Sequence, residues 1–560
     1  MPAALLALLL SASALSPRAA IATAHPLASA AGAEALRAGG NAVDAAVAAA
    51  FALSAVQNQS SGLGGGGFAL VWMAREQRLT VLDFREVAPA ASTPGMFLVD
   101  GKVDPARSRT GGLSVAVPGA VKGYAELARR FGKLALPRLV EPAARLAERG
   151  VPVGRHWALA AAEMLPQLRA DPAAAAEFLV PDPDPSAPPR PPAPGWIRLR
   201  PDLARTLRLL GRDPEAFYRG PLARRIAAAV QARGGILTEA DLAAYRTVER
   251  APLTGSFRGR RIASMPPPSA GGAIVIALLQ ALEQEPLEAM SRHPVALVHA
   301  FAEVEKRLFA ERAGRLADPA FLATADAAAA ELASPAWAHA VRAAVGERAT
   351  PGDALAPAAP PAGGGTQTTH LSVVDAEGNA VAMTTTVNGY FGACLVVPGT
   401  GILLNDEMDD FDAAAGAANQ FGLVGSGVNR PAPGKRPLSS MAPTLVFDAE
   451  GRVVLAIGSP GGSTIPSTVA QVILHALGEG LPLDQAVSAP RVHHQWRPDA
   501  IQAEPGALDE ATIAALKALG HEVVLRKQPF GNPQAAAVDW ASGLREAASE
   551  LRGEGLPAAP

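Results

Sequence analysis

Residues 368–375 read Thr-Thr-His-Leu-Ser-Val-Val-Asp and lie where the character of the chain changes sharply. The preceding segment, residues 350–366, is rich in Pro, Ala and Gly, a composition that predicts no regular structure. The following residues alternate between apolar and polar and predict a strand, a turn at Glu377-Gly378-Asn379, and a second strand over Ala380–Val387. A threonine at this junction is suited to become a chain terminus, because a freed threonine carries a base in its own α-amino group.

The composition is that of a folded globular protein, since 49% of the 560 residues are hydrophobic and 18% are charged. The formal net charge is -2 and no basic run stands out, so we expect no nucleic-acid partner. The single cysteine, Cys394, excludes an intrachain disulfide and a cysteine-rich metal site.

The N-terminal residues resemble a secretory leader. Residues Ala3 to Leu15 form an apolar run that has the length of a signal core and is too short to span a bilayer. No basic residue precedes this run, since the first arginine is Arg18. We expect residues 1–23 to be a signal peptide or disordered leader, and the protein to be periplasmic or secreted without membrane insertion. A buried N-terminal segment and a misassigned start site are the alternatives.

The chain is rich in helix before the linker and rich in strand after it. A helical pattern over residues 22–53, with Asn41 as N-cap, precedes a glycine loop at 62–67 and a hairpin over Phe68–Met73 and Arg78–Asp83. Because two strands make a poor sheet, we expect one layered α/β body whose sheet takes strands from both sides of the linker. Two independent domains are the alternative.

Two glycine loops differ in their context. The spacing Gly62-x-Gly64-x-x-Gly67 formally matches a dinucleotide fingerprint, but a helix precedes it and a strand follows, which is the reverse order. A tight turn where backbones pass closely is the preferred interpretation. The loop from Gly458 to Thr464 follows a predicted strand and opens a helix near Ile465, as at an anion or oxyanion site. An ordinary strand-to-helix turn is the alternative.

Two polar segments after the linker carry charge of both signs. Residues 405–411 contain four carboxylates, which suit a solvated turn, a cation, or the ammonium group of a substrate, although the spacing matches no calcium loop. Residues 435–441 place two hydroxyls beside two cations, which suits a carboxylate or an exposed basic turn. His493-His494 lacks a third metal ligand at fixed spacing, so packing against Trp496 is the preferred interpretation.

Taken together, the motifs resemble the γ-glutamyltransferase family of the N-terminal nucleophile hydrolase superfamily. The resemblance runs from about residue 24 to residue 552, with order and spacing preserved. The motifs that carry it are the Gly64–Phe68 loop, Asp83-Phe84-Arg85-Glu86, residues 264–269, Asp318-Pro319, Thr368-Thr369-His370, Thr386, Asn388, the Glu407–Asp410 turn, Ser439-Ser440 and Gly461-Gly462.

The resemblance implies a four-layer αββα sandwich built from two subunits of a precursor that cleaves itself. The cut would fall between Gln367 and Thr368. It would leave a large subunit of residues 24–367, ending in a flexible linker at 350–367, and a small catalytic subunit of residues 368–560.

The resemblance also implies the chemistry. The roles would be Thr368 as nucleophile, Thr386 as its orienting partner, Gly461 and Gly462 as the oxyanion hole, Arg85, Ser439 and Ser440 for the substrate α-carboxylate, Asn388, Glu407 and Asp410 for its α-ammonium, and Phe421 as part of a lid. Implied substrates are γ-glutamyl compounds such as glutathione, with water or an amino-acid or peptide amine as acceptor, and with no metal or organic cofactor. The alternatives are a cephalosporin-type glutaryl acylase of the same fold and an uncleaved, inactive binding protein.

Overall fold

The computed structural model describes residues 13–184, 186–355 and 367–560, and its centre is a pair of antiparallel sheets of seven and six strands. In chain order the strands of these sheets are β1 (Ser13–Ser16), β2 (Ala20–Thr23), β3 (Gly66–Met73), β4 (Arg78–Asp83), β5 (Val248–Arg250), β6 (Leu253–Phe257), β7 (Arg260–Ser264), β8 (Thr369–Val374), β9 (Ala380–Thr386), β10 (Thr444–Phe447), β11 (Val453–Gly458), β12 (Gln534–Asp539) and β13 (Leu544–Ser549). The seven-stranded sheet has the order β1–β13–β12–β11–β10–β7–β6, and the six-stranded sheet has the order β2–β8–β9–β3–β4–β5.

Helices cover the outer faces of both sheets. In chain order the α-helices are α1 (Pro26–Arg37), α2 (Ala42–Val56), α3 (Pro105–Arg109), α4 (Ala120–Phe131), α5 (Leu136–Arg149), α6 (Arg155–Glu163), α7 (Leu165–Ala170), α8 (Pro172–Phe178), α9 (Pro201–Arg212), α10 (Pro221–Ala232), α11 (Glu239–Ala244), α12 (Gly271–Ala281), α13 (Val295–Arg315), α14 (Ala325–Leu332), α15 (Pro335–Ala343), α16 (Ile465–Ile473), α17 (Leu483–Ser488) and α18 (Glu510–Ala518). Smaller sheets pair Leu98–Val99 with Lys102–Val103, Val151–Pro152 with Ile197–Arg198, Val396–Val397 with Ile402–Leu403, and Ile501–Ala503 with both Val492–His493 and Val523–Leu525. Within the described ranges, no helix is both long enough and apolar enough to cross a membrane.

The alternation of side chains along β3 explains the layering. Leu70 and Trp72 face the other sheet, where the rings of Trp72 and Phe447 meet edge to face with centroids 5.0 Å apart. Ala69 and Val71 point the opposite way, into the core formed with helices α1, α2, α4 and α5. Helices α12, α13 and α16 complete the core of the seven-stranded sheet. The order helix–sheet–sheet–helix confirms the expected αββα sandwich.

Both sheets combine strands from before and after residues 356–366. In the six-stranded sheet, Val373 of β8 pairs with Ile21 of β2, and Val381 of β9 pairs with Val71 of β3. In the other sheet, β10 pairs with β7 and β13 pairs with β1. This arrangement confirms one layered body and excludes two independent domains.

The alternative of a disordered leader is wrong for residues 13–23, whereas the signal peptide stays a prediction. Strand β1 pairs with β13, and the wholly buried strand β2 pairs with β8. The small apolar side chains of Ala20 and Ala22 fit between the two sheets, which their composition alone does not reveal. Residues 1–12 lie outside the described residues.

The helical pattern predicted over residues 22–53 is divided between two helices. Helix α1 is followed by Gly39, which has a φ of +88°, and α2 then begins after Asn41. The Asn41 side chain accepts from the N–H groups of Val43 and Asp44, and the Asp44 carboxylate accepts from the Asn41 N–H. The N-cap prediction is confirmed, with a capping box that stabilises the start of α2.

The linker prediction is wrong for its first residues, because they are anchored. Lys306 Nζ donates to the Thr350 carbonyl at 2.6 Å, the Gly352 N–H donates to Asp499 Oδ2 at 2.6 Å, and Trp496 Nε1 donates to the Gly352 carbonyl at 3.0 Å. A 3₁₀ turn spans Gly352–Ala354. These partners are distant in sequence, so the local composition does not predict them. Residues 356–366 lie outside the described residues.

Candidate active site

Thr368 lies directly before β8 in a backbone conformation that is costly for its residue type. Its φ is +102°, which a β-branched L-residue rarely adopts. The next residue holds the segment in place, since Thr369 Oγ1 donates to Gln57 Oε1 at 2.7 Å. Because the carbonyl carbon of Gln367 defines this φ, breaking the bond between Gln367 and Thr368 would remove the strain.

The carbonyl of Gln367 is bound by the second glycine loop. The Gly461 N–H donates to the Gln367 carbonyl oxygen at 3.2 Å. Gly461 and Gly462 have φ values of +139° and +56°, which favour glycine, and the loop leads into α16 as predicted. A donor at this position stabilises negative charge that develops on the carbonyl oxygen during attack, so the loop has the geometry of an oxyanion hole.

The hydroxyl of Thr386 lies beside that of Thr368. The two Oγ1 atoms are 3.1 Å apart, and the Asn388 N–H donates to Thr386 Oγ1 at 2.8 Å. The first glycine loop supports this end of β9, because a Cβ placed on Gly65 would lie 1.9 Å from the Thr386 carbonyl oxygen. The interpretation of residues 62–67 as a close backbone passage is therefore confirmed.

Arg85 is buried and holds the acidic turn of residues 407–410. Its Nη1 contacts Glu407, its Nη2 lies 2.6 Å from Asp410 Oδ2, and its Nε donates to the Pro437 carbonyl at 3.3 Å. The alternative of a solvated acidic turn is wrong, because Glu407 is fully buried. The residues assigned to the two ends of a substrate thus lie in direct contact with each other.

Glu86 is a carboxyl group that the sequence analysis did not assign. It is fully buried, Arg85 Nη1 lies 3.9 Å from its Oε2, and its carboxyl group is close enough to that of Glu407 for a hydrogen bond when one of the two is protonated. Burial raises the pKa of Glu86 to about 7, and the Arg85 guanidinium offsets only part of this rise. In the sequence, the only sign of a role for Glu86 is that it follows Arg85. A surface carboxylate can follow an arginine in the same way, so the sequence alone does not reveal that Glu86 is buried.

The predicted carboxylate site after the linker is only partly present. Ser439 and Ser440 line the cavity, and the Ser440 hydroxyl is buried without a hydrogen-bond partner in the described part of the chain. Lys435 and Arg436 point elsewhere, because Lys435 Nζ donates to backbone carbonyls and Arg436 Nε lies 3.3 Å from Asp83 Oδ1. The hydroxyls, and not the cations, therefore face the site.

Phe421 covers the oxyanion loop. Its side chain is buried, and a Cβ placed on Gly462 would lie 2.4 Å from Phe421 Cδ1. Asn419, two positions before Phe421, donates from Nδ2 to Asp410 Oδ1 at 3.1 Å. Residues 412–425, which we call the lid, are thus closed over the site and bound to the acidic turn.

One cavity brings together most of the residues that were predicted from sequence. Its lining consists of Arg85, Thr368, Thr386, Asn388, Glu407, Asp410, Phe421, Leu423, Ser439, Ser440, Met441, Gly462 and Ile465. Three apolar members, Leu423, Met441 and Ile465, were not predicted, because apolar residues in a sequence give no sign of facing a ligand rather than the core. Gly461 contributes through the N–H that binds the Gln367 carbonyl.

The histidines near the site have structural partners. Burial lowers the pKa of His370 to about 3, and its ring nitrogens lie within hydrogen-bond distance of the Thr384 and Ser372 hydroxyls. His370 is therefore neutral and packs between the sheets, next to Gly458. His493 and His494 bind Glu305 through a ring nitrogen and a backbone N–H.

Thr368 thus lies directly before a buried strand of an αββα sandwich, and the carbonyl that precedes it accepts from the N–H of a glycine loop. The family model for Gamma-glutamyltranspeptidase matches residues 28–559, and the chain belongs to this family. The earlier resemblance is thus confirmed over nearly the whole length.

Two kinds of relative, a glutathione hydrolase and an acylase, align with this chain over nearly its whole length. The chain is 37% identical to the glutathione hydrolase proenzyme of Pseudomonas sp. strain A14, over 92% of this chain and 87% of that protein. It is 38% identical to the acylase ACY 1 proenzyme of Pseudomonas sp. strain SE83, over 96% and 93%. A solved structure, the cephalosporin acylase from Bacillus halodurans, superposes with a TM-score of 0.84 at 28% identity, over 98% of this chain and 97% of that one.

Proposed function

We propose that this chain is a proenzyme that cleaves itself between Gln367 and Thr368 and then transfers γ-glutamyl groups to water or to an amine. The observation that carries the proposal is the hydrogen bond from the Gly461 N–H to the Gln367 carbonyl, next to a strained Thr368. The same carbonyl position is where an oxyanion forms in both reactions.

Self-cleavage uses Thr368 as an internal nucleophile. Its Oγ1 attacks the Gln367 carbonyl carbon, the hydroxyl proton passes to the amide nitrogen, and an ester replaces the peptide bond. Water then hydrolyses the ester, which leaves a carboxylate on Gln367 and a free amine on Thr368. Thr386, whose Oγ1 lies 3.1 Å from that of Thr368, orients the attacking hydroxyl.

The matured site acts on a γ-glutamyl amide in two steps. The freed α-amine accepts the hydroxyl proton as Thr368 attacks the γ-carbonyl, and the leaving amine departs with a proton. The N–H groups of Gly461 and Gly462 stabilise the oxyanion, and removing one such donor typically costs about 3 kcal/mol of barrier stabilisation. Water or an acceptor amine then releases the glutamyl group.

The charges of the cavity support a zwitterionic substrate. Arg85, Ser439 and Ser440 supply donors for an α-carboxylate, while Glu407 and Asp410 supply acceptors for an α-ammonium. A γ-linked glutamate carries both groups on one carbon, so that carbon would lie beside the cluster of Arg85, Glu407 and Asp410, whose side chains contact one another. Apolar side chains of the cavity pack against its methylene groups.

The second candidate is a glutaryl acylase, which the acylase relative and the cephalosporin acylase structure favour. A glutaryl group lacks the ammonium, so Glu407 and Asp410 would gain no cationic partner from it. The test compares kcat/KM for γ-glutamyl-p-nitroanilide and glutaryl-p-nitroanilide. We expect the γ-glutamyl compound to be better by a factor of about 100, the worth of about 3 kcal/mol of lost charge pairing. A preference for the glutaryl compound would establish the acylase.

The proposal also covers the subunits of the enzyme, its acceptor substrates and its cellular compartment. The large and small subunits come from one precursor and stay together through their shared sheets, and acceptors are amino acids or peptides. Export to the periplasm or medium stays a prediction.

A further inference from the structure

Gln495 connects the lid to the oxyanion loop. Its Nε2 donates to the Phe421 carbonyl at 3.0 Å, and its Oε1 accepts from Ser463 Oγ at 2.7 Å. Ser463 directly follows Gly462, against which the Phe421 ring packs. One side chain therefore binds both the backbone of the lid and the loop that supplies the oxyanion donors.

A buried pair fixes the orientation of Gln495. His493 Nε2 lies 3.0 Å from Gln495 Oε1, and His493 Nδ1 lies 3.1 Å from Glu305 Oε1. Glu305 also accepts from the His494 N–H at 2.8 Å. Gln495, His493 and Glu305 are all buried, so water does not compete for these hydrogen bonds.

We propose that Gln495 is a positioning residue that ties the lid to the oxyanion loop, so that closure of the cavity and alignment of the oxyanion donors occur together. The proposal rests on the proposed function, since it concerns the same cavity. It gives the His493-His494-Gln495 segment a role that metal binding or packing alone does not describe. Neither Gln495 nor Glu305 touches the reacting atoms.

The test uses Gln495→Met with Gln471→Met as the matched control. Gln471 is a buried glutamine nearby that binds the backbone of Ser467 and Val492 and, within the described part of the chain, makes no hydrogen bond to the lid. Both substitutions leave buried backbone groups unpaired, so a similar loss of Tm is expected. Deuterium uptake of residues 412–425 and the kinetics with γ-glutamyl-p-nitroanilide are measured on each protein.

We expect Gln495→Met to raise deuterium uptake in the lid and to lower kcat/KM by about tenfold or more, as displaced oxyanion donors do. Gln471→Met should leave lid uptake unchanged and kcat/KM within about threefold, because Gln471 hydrogen-bonds the backbone of Ser467 and Val492 and not the lid. Loss of self-cleavage in Gln495→Met alone also supports the proposal, because the same loop binds the Gln367 carbonyl. Equal lid uptake and equal kcat/KM in the two variants would overturn it.

A second variant separates the two ends of the tie. Gln495→Glu keeps acceptors for Ser463 and His493 but loses the Nε2 donor to the Phe421 carbonyl, which keeps the longer 3.4 Å contact from Ser463 Oγ. We expect raised deuterium uptake in the lid with unchanged deuterium uptake over residues 458–464. Unchanged deuterium uptake in the lid would contradict the proposal that Gln495 connects the lid to the oxyanion loop. If the wild type fails to turn over γ-glutamyl substrates, the proposed function fails, whereas lid uptake still decides the role of Gln495.

Discussion

At the scale of the residue, the site holds two residues in unfavourable states. Thr368 has a positive φ, and the Glu86 carboxyl group is fully buried with a raised pKa. Strained or poorly solvated groups of this kind persist only where the surrounding structure holds them in place. Thr368 is held by the bond of its neighbour Thr369 to Gln57, and Glu86 is held close to Arg85.

Glu86 should make stability fall as the pH rises. A buried carboxyl with a raised pKa binds more protons folded than unfolded, so the free energy of unfolding falls between its ordinary pKa near 4.5 and its folded pKa of about 7. The loss is on the order of 3 kcal/mol for a rise of this size. Glu86→Gln should therefore match the wild type in unfolding free energy at pH 5 and exceed it at pH 8.

The control for this prediction is Glu34→Gln, which changes the same charge at a side chain that is 52% exposed. Denaturant unfolding at both pH values measures the effect. If Glu86→Gln is no more stable than Glu34→Gln at pH 8, the raised pKa of Glu86 is refuted.

At the scale of the element, the lid packs directly against the backbone of the second glycine loop. Gly462 has a φ of +56° and no room for a side chain beneath Phe421. The Gly461 N–H donates to the Gln367 carbonyl, and the Phe421 ring packs on the next residue, Gly462. The lid and the oxyanion loop therefore form one packed unit.

Gly462→Ala should lower activity as well as stability, because the new side chain meets Phe421 and the alanine also adopts an unfavourable φ. The new Cβ would displace Phe421, so we expect kcat/KM to fall by about tenfold or more. Gly506→Ala is the control, because Gly506 has a φ of +79° with no atom within 4 Å of the new Cβ. It should lower stability by about 1 kcal/mol without changing kcat/KM. Equal activity in the two variants would contradict the packing of the lid on Gly462.

The sequence predicted elements whose pattern is local. The hairpin of β3 and β4 follows from period-two alternation, and the start of α2 follows from Asn41. Strand β2 was missed, because its short run of small residues becomes a strand only when it pairs with β8. The contact of Arg85 with Glu407 was also out of reach, since 322 positions separate them and only the folded sheets bring them together.

At the scale of the whole molecule, the two segments on either side of the proposed cut cannot separate without breaking both sheets. Strands β8 and β9 lie between β2 and β3, and β10 to β13 share a sheet with β1, β6 and β7. Separation would expose the apolar interface between the sheets, including Trp72 against Phe447. Cleavage therefore changes the active site without dividing the core.

The cleaved protein should behave as one body in solution. We expect both fragments in equal amounts in every fraction of a size-exclusion peak in native buffer, because each sheet needs strands from both. They should separate in guanidinium chloride. Separate elution of the fragments in native buffer would contradict the shared sheets.

The central claim is that Thr368 is the nucleophile of self-cleavage, and N-terminal sequencing of the purified protein tests it most directly. We predict that the intact chain of 57.2 kDa gives two smaller bands on a denaturing gel, one of which begins Thr-Thr-His-Leu-Ser. Thr368→Ala should remain a single band, whereas Thr369→Ser should be cut like the wild type. A wild-type chain that stays intact over days, or a new N-terminus at another residue, would contradict the account.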